Sequence, residues 1–224
     1  MRVIQKIDEI RNINNWFIID MGYSNNNKSC GVLMVQNSKY TNEDFKDIAF
    51  SELKKEFNSF CNKLKDEKIG LVLEAPLSIL FDEDREGNPL GREFEREFGV
   101  KKGDKKITAT RYWYCGAGAT VTLGALEFLN RVMDILIYNN IYLFEGFVSF
   151  KKQSNEKRKK EKHFSDAKLL FDGIEYIKEN IKCKKEINKK YIFIGNYLKD
   201  IKIIGIPPVI KVSQDKKEIF IIKS

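Results

Sequence analysis

The chain contains one histidine, His163, and only four cysteines, Cys30, Cys61, Cys115 and Cys183. No C-x-x-C pair occurs. A zinc site built from thiolate and imidazole ligands is therefore excluded in practice, and so is a disulfide framework. No apolar run reaches the roughly 18 residues that a membrane-crossing helix needs. The start, "MRVIQKIDEI", carries charges where a secretory signal has its apolar segment. These absences lead to the expectation of a cytoplasmic protein with no membrane contact.

What is present is charge and core. Of 224 residues, 42% are hydrophobic and 32% charged, with a net charge of +8. That composition suits one domain with a sizeable core, and the positive balance favours a polyanionic partner. The abundance of Lys, Ile and Asn also fits an AT-rich coding sequence, which raises the charge without any functional cause.

Pattern divides the chain further. Residues 15–24 and 28–36 read as two strands joined by asparagine-rich turn chemistry, a hairpin with Asp20 near the end of its first strand. A third edge strand is expected around residues 38–41. Apolar residues at helical spacing, from Phe45 and Ile48 through Phe57, Phe60 and Leu64, predict one amphipathic helix over 42–68. "IGLVLEAP" is a short apolar strand of the kind buried in a sheet centre, ending on Glu74. Residues 77–110 read as a long loop with one helical turn at "GREFERE". A single helix with small residues in its first turns follows, from "YWYCGAG" to about residue 140. Then come a strand over 141–150, a basic linker over 151–162, a helix from His163, and two or three short strands. The expected architecture is α/β: a mixed sheet with helices on both faces over residues 1–180, and a strand-rich extension over 181–224 packed on it.

Three acids stand out by position. Asp20 and Glu74 each close a strand, and Asp166 lies one turn into a helix. On parallel neighbouring strands the first two share a sheet edge, and a helix crossing that edge brings the third. Carboxylates gathered there repel one another unless a cation sits among them. Oxygen-only ligands select Mg²⁺ or Mn²⁺, and two such ions about 4 Å apart can hold both the attacking and leaving oxygens of a phosphodiester. Each acid also has a plainer explanation. Asp20 can serve the turn before Gly22, Glu74 can pair with an arginine such as Arg92, and Asp166 can complement a helix dipole.

"IIDMGYS", "LVLEAP" and "HFSDAKLL" together resemble the RNase H-like superfamily, in particular RuvC-type resolvases and a bacterial group of predicted RNase H-like nucleases. The resemblance spans about residues 14–178. It implies an RNase H-like sheet and a metal-dependent nuclease acting on DNA or RNA. Asp20, Glu74 and Asp166 would be the metal ligands, with His163 ordering water or touching phosphate. A resolvase-like activity would further imply a homodimer. The chain departs from the pattern at His163, where a fourth acid is usual; Glu145 is a candidate substitute. Candidate substrate contacts are Ser24, Arg92, Arg111, Lys151, Lys152 and Arg158, with phosphates meeting the basic stretch and bases stacking near Arg111. Two other readings stay open. One is a non-catalytic RNase H-like nucleic-acid-binding or assembly subunit. The other is a nucleotide-binding protein of the actin and sugar-kinase type, since "DMGYS" also resembles their first phosphate loop and "CGAGATVTLGA" offers a partial second.

Overall fold

The computed structural model describes residues 1–24, 26–80, 92–95, 99–102, 105–108, 117–148, 162–189, 191–197, 205–213 and 216–223. The chain opens on a short helical turn, Ile7–Asn12, and enters the hairpin of β1 (Asn15–Asp20) and β2 (Cys30–Val35). Next come β3 (Phe45–Ile48), α1 (Leu53–Lys63) and β4 (Ile69–Glu74). Three short strands follow: β5 (Ser78–Leu80), β6 (Gly99–Lys102) and β7 (Lys105–Thr108). Helices α2 (Ala117–Arg131) and α3 (Met133–Tyr138) lead to β8 (Ile141–Val148) and α4 (Lys162–Glu179). The tail supplies β9 (Lys184–Ile187), β10 (Tyr191–Phe193), β11 (Val209–Val212) and β12 (Lys217–Ile222).

Eight strands form one mixed sheet in the order β3-β2-β1-β4-β8-β11-β12-β9. β1 runs antiparallel to β2 and parallel to β4, and β8 is parallel to both β4 and β11. The α/β expectation holds, and residues 184–222 are more than an appendage: β11, β12 and β9 extend the same sheet.

Strand alternation sends successive side chains to opposite faces. Phe17, Ile19, Leu71, Leu73 and Leu143 pack on one face with Leu53, Phe57 and Phe60 of α1 and Phe128 of α2. Trp16, Ile18, Val72 and Phe144 pack on the other with Ala167, Leu170 and Ile174 of α4. Both faces are covered, which is why β1 and β4 read as unbroken apolar runs. Leu170, Ile174 and Ile177 are at most 1% exposed, and each contributes about 1.5–3 kcal/mol by burial. They clamp α4 across β1, β2 and β8.

Four expectations need correction. The helix over 42–68 is confined to α1; its first third forms edge strand β3, which hydrogen-bonds to β2. Residues 38–41 hold only an isolated bridge, Gln36 to Lys39, so the third strand lies later than expected. Within the supposed loop over 77–110, β5 pairs with β10 from the far tail, and β6 pairs with β7. The helix before β8 is divided at Val132.

Candidate metal centre

Asp20 and Glu74 are the last residues of β1 and β4, directly paired in the parallel register. Both fall on the even-numbered face that α4 covers. Asp166 sits one turn into α4, beside the anchoring Ala167. The result is a cage: Asp20, Glu74 and Asp166 each offer a carboxylate oxygen, all within 4.8 Å of one another. Asp166 is 1% and Glu74 9% exposed, so the acids are withdrawn from bulk water.

At that separation two ionised carboxylates repel by on the order of 3 kcal/mol at an effective dielectric of about 20. The donor set is all oxygen and anionic, which matches a hard divalent cation and not zinc. A single Mg²⁺ with bonds of about 2.1 Å spans at most ~4.2 Å between opposite ligands. Oxygens gathered within 4.8 Å of one another can close on one such ion or flank two about 4 Å apart.

His163 joins this group directly. Its Nδ1 lies 2.6 Å from Asp20 Oδ2. With Nδ1–H donating to the carboxylate, Nε2 is the acceptor nitrogen of the neutral ring. The histidine side chain is 32% exposed and that of Asp20 13%, so this side of the cage faces the opening. The contact depends on Gly31, which pairs with Asp20 across the hairpin. A Cβ on Gly31 would lie 2.4 Å from His163 Cβ. Only glycine lets the start of α4 come this close to β2. The imidazole therefore braces an acid of the cage.

Other candidate residues separate from the cage. Arg92 is wholly buried, which removes it as a substrate contact. Its guanidinium donates to Glu145 Oε1 (2.6 Å), Glu95 Oε1 (2.6 Å) and the Ser78 carbonyl (3.0 Å), and lies 4.6 Å from the Phe94 ring centre. It pairs with neither Glu74 nor any other member of the cage. Glu145 is also wholly buried, and parity places it on the face opposite Asp20 and Glu74, beside Leu73. It therefore cannot serve as the missing fourth acid. Burial pushes the Glu145 carboxyl up, against the pull of Arg92 and the Leu77 amide. Burial alone would depress Arg92, but Glu145 and Glu95 outweigh it and hold the guanidinium charged.

Ser24 lies in the exposed turn after β1, where its Oγ accepts from the Asn26 amide at 3.3 Å. It lines a cleft with Phe50, which the sequence pattern placed on an apolar helix face, and with Ser51 and Arg131, which it did not single out. Arg111, Lys151, Lys152 and Arg158 lie outside the described residues. Residues 118–125, taken as part of a second phosphate loop, are helical turns of α2, which removes that support for an actin or sugar-kinase type.

No protein-family model, curated protein or solved structure matches this chain. Among the described residues no helix is long and apolar enough to cross a membrane.

Proposed function

We propose that the protein is an RNase H-like, Mg²⁺- or Mn²⁺-dependent nuclease that hydrolyses phosphodiester bonds. One observation carries this reading: Asp20, Glu74 and Asp166, from three separate elements, converge with oxygens within 4.8 Å. The chain order of hairpin, helix, strand and late helix, with its acids at the strand ends, is what the resemblance to that superfamily implies.

In this reading the three carboxylates hold the divalent ions. The ions supply charge neutralisation at the phosphate and activation of water. Asp166 and Glu74, both buried, fix the cage from below. Asp20, nearer the opening, is kept in place by His163. His163 would also order the attacking water or touch a phosphate oxygen, the role that the resemblance gives it. The basic composition supplies non-specific attraction for the polyanion.

A non-catalytic nucleic-acid-binding subunit is favoured by one feature, the Asp20–His163 contact, which engages one oxygen of a ligand acid. Labelled DNA and RNA substrates with Mg²⁺ or Mn²⁺ decide between the two. Cleavage is expected, abolished by EDTA, and reduced at least about 10²-fold by Asp20→Asn or Asp166→Asn, since even outer-sphere partners of metal sites cost 10–100-fold. In metal-free buffer Asp166→Asn relieves like-charge crowding. About 1 kcal/mol of relief raises the melting temperature by about 2–4 °C in a domain of this size. A wild type that cleaves nothing and whose melting temperature ignores both ions overturns the nuclease reading.

A further inference from the structure

The turn after Asp20 builds a second feature on the same sheet edge. Gly22 makes it tight, because a Cβ there would lie 1.8 Å from the Ser29 carbonyl oxygen. Tyr23 then settles on α2, where a Cβ on Gly124 would come within 2.8 Å of Tyr23 Cβ. Its base is held, yet the residue stays 43% exposed. Its ring meets Phe50 edge-on, with centroids 4.8 Å apart and planes at 75°. The Arg131 guanidinium lies 5.2 Å from the centre of the same Phe50 ring. Between them opens a cleft of about 480 Å³, edged by Ser24, Asn26 and Ser51. That volume falls in the range of about 300–1,000 Å³ typical of small-molecule sites.

We propose that this cleft takes one unpaired nucleotide of a nucleic-acid strand, its base on Tyr23 and its phosphate on Arg131. The identity of the ligand rests on the nuclease reading of the neighbouring cage. Tyr23 lies three positions after Asp20, so their backbones are at most about 11 Å apart. One strand can therefore reach from the cage, on the α4 face, around the sheet edge to the tyrosine, which rests on α2. The recognition chemistry fits. An exposed, anchored aromatic ring is a platform for any base, and hydroxyl and amide groups around it suit polar base edges. Arg131 pairs with Glu127 at 2.7 Å, but both side chains are well exposed, and such a pair is weak enough in water for a phosphate to compete. A fully paired duplex keeps its bases stacked on each other and offers no open face to Tyr23.

The test is binding measured in EDTA, where cleavage plays no part. Anisotropy of a labelled single strand of about 12 nucleotides reads the site. Tyr23→Ala and Tyr23→Leu, the second keeping apolar bulk, should weaken binding about five- to hundredfold, while Tyr23→Phe binds as wild type. Arg131→Gln should weaken it and lower the salt slope by about one. Affinity for a blunt duplex should not change with Tyr23→Leu. Wild-type affinity for single strand in Tyr23→Leu overturns the proposal. So does an equal loss on duplex and single strand, or free adenosine monophosphate binding as tightly as the oligonucleotide, which would mark a soluble-nucleotide site. The two proposals fail separately. Tyr23-dependent strand binding without cleavage leaves the cleft and removes the nuclease. Metal-dependent cleavage with Tyr23-independent binding does the reverse.

Discussion

At the scale of single residues, the candidate centre depends on a glycine as much as on its acids. Gly31→Ala should force the start of α4 away from β2 and stretch the His163–Asp20 contact of 2.6 Å. Overpacking of this kind costs about 1–3 kcal/mol, which urea unfolding would report as a lower midpoint with an unchanged slope. Cleavage should fall with it, and an unmoved midpoint would show that the helix can give way. The three acids were legible in the sequence because each stands where an apolar run stops or a helix begins. The brace from His163 was not. It depends on a missing side chain on a strand that is distant in sequence, and no local spacing records that. Arg92 misled for a related reason: an arginine in a polar segment reads as exposed until its two carboxylate partners are seen.

At the scale of elements, β8 separates two charged sets. Glu145 points away from the cage and locks, through Arg92, to Glu95 and Ser78. Arg92→Met would strand two buried carboxylates, and breaking such a set costs about 3–5 kcal/mol. The penalty should depend on pH. Burial already raises the Glu145 carboxyl above its ordinary value, and losing Arg92 raises it further. The folded state then holds a proton that the unfolded state releases above about pH 4.5. Stability is therefore greatest at low pH and declines as pH rises through the folded value. Thermal melts at pH 5 and pH 8 should show the variant much weaker at pH 8; equal losses at both would place the charge elsewhere. Element identity was half legible. Strand β3 was hidden because Phe45 and Ile48, three apart, fit a helical stripe as well as an edge strand, and pairing with β2 decided the matter. β5 was hidden because its partner β10 comes from the far tail.

At the scale of the whole molecule, the tail completes the sheet. β11 lies between β8 and β12, and Val212 fits against Gly173 of α4, where a Cβ would come within 2.5 Å. A chain ended after Asn180 would bare the edge of β8 and the inner side of α4. It should lose its cooperative melt and aggregate, as long uncovered strands do. Circular dichroism and sedimentation would show this; a soluble, sharply melting fragment would instead define a self-sufficient domain. The natural edges are better protected. β3 carries Lys46 and Asp47, and β9 carries Lys184, Lys185 and Glu186. The sequence foretold strands in the tail, but parallel pairing between remote segments leaves no local trace, so their place in the sheet was not legible.

Because the hairpin, β4 and α4 each deliver one acid, no partly assembled chain owns the cage. A molecule with only its hairpin formed has a lone carboxylate, and one whose last helix is undocked has two. In the proposed nuclease, affinity for a divalent ion is thus a certificate of completed assembly, and chemistry at that spot stays silent until the last helix has arrived.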